Sequence, residues 1–234
     1  MVDDSELRGL DPYDLMALEA ARIDLYFSKL SDDDWQAPSR CAGWSVRDVL
    51  AHLTSSEAYN RACLDGTVQQ FLAEMGEKGA TDLTTANEIG VRQFDGQPTS
   101  ELLSMWRAEC GRNIADFRAR DGESVDSSVG EYPARWQAFH LAFELATHAD
   151  DVGVPVSQAD AAQRLEWEPR FGRFALVEVK PELEARSHDE NTQVRGDGID
   201  VELPNDVFVR AVAARLPDDS SVASDVAAKL SVTP

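Results

Sequence analysis

Apolar residues recur at intervals of three and four through most of this chain, and that period predicts helices. Over residues 12–30, Met16, Ala20, Ile23, Phe27 and Leu30 keep the spacing, with Pro12 suited to a first helical turn. Residues 31–37 read as an acidic break. A second helix is predicted to open at Ser45, where Ser45 and Asp48 form an S-x-x-D capping box and Val46, Val49, Leu50 and Leu53 supply the apolar stripe. His52 borders that stripe. A third helix spans roughly residues 100–120, with Leu102, Trp106, Ile114 and Phe117 on one side and Asp121-Gly122 as its stop. The fourth covers roughly 134–151, with Trp136, Phe139 and Phe143 apolar and Gly153-Val154-Pro155 ending it.

Between these helices the pattern loosens. Residues 65–98, interrupted by Gly66, Gly76, Gly79, Gly90 and Gly96, leave room for one or two short helices at most. Residues 164–186 are helical in character, but Pro169 and Pro181 argue against one undisturbed helix. Residues 192–203 alternate around Gly196-Asp197-Gly198 and predict a hairpin. Pro204-Asn205-Asp206 opens another helix carrying Val209, Val212, Ala213 and Leu216, and a short one follows near 224–230. The expected fold is mainly α: a four-helix bundle over residues 1–156 and a small C-terminal α/β or helical appendage over residues 157–234.

Composition narrows the function. A hydrophobic share of 43% in 234 residues is enough for a buried core. The net charge of −21, from 43 acidic against 22 basic residues, would repel nucleic acid over most of the surface. Cys41, Cys63 and Cys110 form no C-x-x-C pair, so neither a disulfide framework nor a cysteine zinc site is indicated, and a reducing cytoplasm fits best. Asp3, Asp4 and Glu6 stand where a signal peptide would carry positive charge, and no apolar stretch has the length of a membrane span.

The candidate chemistry lies on two of the predicted helices. Glu144 and His148 are one turn apart on one face, so they can hold a single ion between them, and His52 from the earlier helix can close the triad. Two nitrogens and an oxygen leave a tetrahedral metal one open position, as catalytic zinc requires. An exposed Glu–His pair is the alternative. Against it, the line His140, Glu144, His148 runs beside Trp136, Phe139 and Phe143, where burying such groups is costly unless they are paired or hold a metal. His140 and His148 are about 12 Å apart along the axis, too far to share one ion, and Glu144 with His148 is preferred because Asp150 and Asp151 can partner that imidazole. His188 is expected in a polar, exposed loop. Tyr59 and Arg135 are further residues that can face the pocket, and Cys41, in the loop before the His52 helix, can approach it.

The run Trp35-x-x-Pro38-Ser39-x-Cys41-x-Gly43-Trp44-Ser45-Val46-x-Asp48, ending in Ala51-His52-Leu53, resembles the N-terminal signature of the mycothiol-dependent maleylpyruvate isomerase family, within the DinB/YfiT-like group of metal-binding helical bundles. Glu144-x-x-x-His148-Ala149-x-Asp151 resembles that family's second metal segment. The resemblance covers about residues 10–155. It implies a bundle that holds a divalent metal, usually zinc, through His52, Glu144 and His148, and an enzyme that uses the small thiol mycothiol. Some members append a domain supplying an arginine near the site. Here the segment from Val209 to Arg215 is similar, with Arg215 in the arginine place as a clamp for a substrate carboxylate, and with Ala214 where the family usually has glycine. A cation at a helix C-terminus is the other role open to Arg215.

The function so implied is a cytoplasmic zinc enzyme acting on a small-molecule thiol and an electrophilic substrate. Zinc favours the thiolate form of a bound thiol, which would add to an activated cis double bond in an isomerase or remain attached to carbon in a transferase. A hydrolase with metal-activated water, or a stress-related metal-binding protein without turnover, are the alternatives.

Overall fold

Capping residues set where three of the long helices begin. In the computed structural model, which describes residues 2–232, α1 (Pro12–Phe27) starts behind Asp11, whose carboxylate accepts from the backbone N–H groups of Tyr13 and Asp14. The acidic segment that follows is not a break. It forms a short helix, α2 (Asp32–Gln36), because Ser31 and Asp34 close a capping box and the three aspartates lie at the positive end of the helix dipole. α3 (Val46–Asp65) opens on the Ser45–Asp48 box and stops at Gly66, whose φ of +69° suits a residue without Cβ. The loose stretch holds α4 (Val68–Glu77) and α5 (Leu83–Arg92). Then come α6 (Thr99–Ala119), a hairpin of β1 (Ser124–Ser127) and β2 (Gly130–Pro133), and α7 (Ala134–Val152), which ends at left-handed Gly153. The hairpin is an addition to the expected elements.

The chain divides into two compact units. One is Asp11–Pro155, in which α1, α3, α6 and α7 form the four-helix bundle: α1 packs on α6 and α7, and α3 packs on the same two helices. Its core is built from Met16, Ile23 and Phe27 of α1, Val49, Leu50 and Leu53 of α3, Leu102, Trp106 and Phe117 of α6, and Phe139 of α7, all buried. Each such side chain contributes about 1.5–3 kcal/mol relative to its exposed state. α7 also buries Ala138, Ala142, Ala146 and Ala149, and small residues let a helix approach its neighbours closely.

The other unit combines Met1–Leu10 with Val156–Pro234. Here α8 (Gln158–Val179) begins on a Ser157–Asp160 capping box and remains one helix across Pro169. A proline inside a helix costs about 3 kcal/mol or more; burial of Trp167, Pro169, Phe171 and Phe174 on this helix offsets that cost. β3 (Glu184–His188), β4 (Asn191–Gly196) and β5 (Ile199–Pro204) form an antiparallel sheet in that order. Residues 184–186 therefore belong to a strand, not to the preceding helix. Gly196 pairs with Ile199 across a turn in which Asp197 (φ +45°) and Gly198 (φ +77°) are both left-handed, the geometry that joins two twisted strands in two residues. α9 (Asn205–Val212) and α10 (Ser224–Leu230) complete the unit. The N-terminal residues join it through Arg173, which grips the Glu6 carboxylate at 2.8 and 3.0 Å, and through Arg170, which donates to the Arg8 carbonyl. Among the described residues no helix is long and apolar enough to cross a membrane.

Candidate metal centre

His52 faces the bundle interior because it lies one turn from Val49 and beside Leu53 on the buried side of α3. Glu144 and His148 project from α7 toward it. Ligand atoms from His52, Glu144 and His148 all lie within 4.8 Å of one another. A tetrahedral ion bound at about 2.0–2.1 Å spaces its donors about 3.4 Å apart. His52 Nε2 and Glu144 Oε1 already stand 3.2 Å apart, and the His52 and His148 rings meet edge-on with centroids 4.7 Å apart. The three groups thus converge on a volume that one small cation would fill.

Their surroundings favour the ligand forms. Burial pushes the His148 pKa down, despite the nearby Asp151 carboxylate, so the ring is held neutral. Burial alone would raise the Glu144 carboxyl, but the hydrogen bond and charge of His52, the charge of His148 and the Ser56 hydroxyl pull it down to about 2. His148 Nδ1 sits 3.0 Å from Asp151 Oδ2, which leaves Nε2 as the nitrogen for a ligand role. The Ser56 hydroxyl donates to Glu144 Oε1 at 3.0 Å.

A tethered loop completes the site. Ser39 N–H donates to the Trp44 carbonyl, Val46 N–H to Ala37, and Arg40 N–H to the Asp151 carbonyl at the end of α7. This places the Cys41 Sγ 3.2 Å from Asp151 Oδ2 and 3.9 Å from His148 Nδ1, and the Trp44 ring against His52 with centroids 5.2 Å apart. Trp35 instead packs on Phe27 as a core anchor.

The other candidate residues have partners of their own. His140 Nε2 meets the Tyr132 hydroxyl at 3.1 Å and is outside the triad. Tyr59 bonds Ser128 and stacks edge-on with Phe71, and Arg135 pairs with Asp121. His188 is exposed as expected, though it ends strand β3 and pairs with Glu202. Arg215 follows α9 in the second unit, with its guanidinium 3.2 and 3.5 Å from the Ala213 and Ala214 carbonyls. Ser56 was not among the expected site residues. Its signal was the H-x-x-x-S spacing, which puts it one turn beyond His52 on the same face of α3.

The family model for the mycothiol maleylpyruvate isomerase N-terminal domain matches residues 16–153. The chain belongs to this family. The match covers the bundle from within its first helix onward and includes all three residues of the triad. Among solved structures, that of the mycothiol-dependent maleylpyruvate isomerase aligns with a TM-score of 0.61 and 14% identity, over 93% of this chain and 94% of that one. A histidine-to-alanine mutant of the mycothiol-dependent maleylpyruvate isomerase aligns with a TM-score of 0.52 and 17% identity, over 76% of this chain and 72% of that one. At such identities the likeness speaks for the fold, a DinB-like helical bundle with a small strand-bearing appendage. The search of curated proteins gives no match.

Proposed function

We propose that this protein is a zinc-dependent enzyme that uses mycothiol as a thiol nucleophile on a small electrophilic substrate, acting as a cis–trans isomerase of the maleylpyruvate isomerase kind or as an S-transferase. One observation carries the metal part of this reading: two imidazoles and a carboxylate from different helices converge within 4.8 Å inside a bundle of this family. Zinc on His52, Glu144 and His148 would supply the Lewis acidity that keeps a thiol as thiolate near neutral pH.

The chain's own residues prepare that chemistry. Asp151 accepts from His148 Nδ1–H and fixes the tautomer whose Nε2 lone pair is available. Burial keeps His148 neutral, and the low Glu144 pKa keeps its carboxylate ionised, the forms in which these two groups bind a metal. Trp44 and the buried face of α3 shield His52 from water. The mycothiol sulfur adds to one carbon of an activated cis double bond, the resulting single bond rotates, and expulsion of the same sulfur restores the double bond with no net change in atoms.

Thermal unfolding with and without zinc and mycothiol tests the proposal. Mycothiol should raise the Tm of the zinc-loaded protein in a concentration-dependent way and leave the zinc-free protein unchanged, since a ligand present at 100 times its Kd adds about 2.7 kcal/mol. Equal shifts in both forms would contradict a metal-held thiol, and no shift in either would favour a hydrolase or a binding protein.

A further inference from the structure

Each imidazole of the triad is held by a neighbour, with Asp151 on His148 and Trp44 against His52. Glu144 is different. Its side chain is the most exposed of the three, at 33% against 8% for His52 and 10% for His148, and a carboxylate can swing between one-oxygen and two-oxygen ligation. Its Oε1 receives two contacts from α3, His52 Nε2 at 3.2 Å and Ser56 Oγ at 3.0 Å. The first is lost when His52 becomes a ligand, because its Nε2 lone pair then faces the ion and no proton remains there to donate. The Ser56 hydroxyl is the donor that stays.

Serine and threonine inside a helix commonly turn the hydroxyl back onto the carbonyl four residues earlier. Thr54 does so, donating to the Leu50 carbonyl at 2.8 Å. Ser56 reaches across to α7 instead. Since Ser56 follows His52 by four residues, one rigid helix carries a ligand and the clamp of another ligand about 6 Å apart along its axis. We infer that Ser56 is a positioning residue that orients Glu144 for one-oxygen ligation and thereby preserves the open coordination position. This rests on the zinc site proposed above.

The test is zinc affinity, measured by competition with a chromophoric chelator, for wild type, Ser56→Ala and Ser56→Thr. Loss of a partner that orients a ligand lowers metal affinity by about 10–100-fold, so Ser56→Ala should weaken binding by that factor and Ser56→Thr, which keeps the hydroxyl, should restore most of it. The metal-free Tm of both variants should stay near that of wild type. In cobalt-loaded protein, Ser56→Ala should also weaken the visible bands of the four-coordinate ion, because a released carboxylate can bind through both oxygens and raise the coordination number. Wild-type affinity and an unchanged cobalt spectrum in Ser56→Ala would overturn the role of Ser56 while leaving the zinc site intact. A wild type that binds no zinc would overturn both.

Discussion

Cys41 Sγ lies 3.2 Å from Asp151 Oδ2, the same oxygen that meets His148 Nδ1 at 3.0 Å. A thiol from the loop before α3 and an imidazole of the triad therefore share one nearly buried carboxylate on α7. Asp151→Ala removes the acceptor that orients His148, and zinc affinity should fall about 10–100-fold. Cys41→Ser keeps a donor to the carboxylate and should cost much less. Chelator competition on both variants checks the order; equal losses would show that Asp151 does not act through His148.

Glu57 is a buried carboxyl of the bundle, outside the triad. Its Oε2 accepts from Asn113 Nδ2 at 2.7 Å and Asn60 Nδ2 at 3.3 Å, and the residue is buried. Burial pushes its carboxyl pKa up from 4.5, aided by the Glu144 charge and opposed by the bonds from Asn113, Asn60 and Cys110. An acid whose folded pKa is raised contributes its full stability below the unfolded value and loses it as pH climbs through the folded one. Glu57→Gln, which cannot ionise, should show a smaller drop in Tm than wild type as pH rises above the ordinary carboxylate range. Parallel pH profiles would contradict a raised Glu57.

Ala214 adopts φ +55°, in the left-handed region, just after α9. That conformation costs an L-residue about 1–2 kcal/mol and glycine almost nothing. Ala214→Gly should stabilise the protein by about 1 kcal/mol, less the extra entropy glycine gives the unfolded chain. Urea unfolding at constant m-value would read this as a higher midpoint.

Gly90 marks the close approach of α5 to α3. A Cβ there would collide with the Ser55 Oγ and sit 3.0 Å from the Ser55 Cβ. Gly90→Ala should destabilise by about 1–3 kcal/mol through overpacking, and Ser55→Ala in the same chain should recover part of it. No recovery in the double variant would place the strain elsewhere.

The long bundle helices were legible because each carries a strong period and several have a distinct start or stop residue. Ser45 with Asp48 starts α3, and Gly153 stops α7. The metal triad could be nominated for the same reason, since helical period places Glu144 and His148 together. What escaped were features decided by other parts of the chain. Pro169 reads locally as a break, yet burial of its neighbours carries α8 past it. β1 has only Val125 as an apolar residue in four, too little alternation to announce a strand. The pairing of Glu6 with Arg173 joins residues 167 positions apart and has no local signal. Ser31 and Asp34 repeat the spacing of Ser45 and Asp48, so α2 was readable from its cap, although three consecutive aspartates suggested a break.

The proposed function requires that His52, Glu144 and His148 bind one metal ion together. Elemental analysis of the protein purified without chelator, beside His52→Ala prepared identically, tests it most directly. Wild type should carry about one zinc per chain and the variant far less, as expected when a tetrahedral site loses one of three protein ligands. A metal-free wild type, or a variant that retains the full complement, would contradict it.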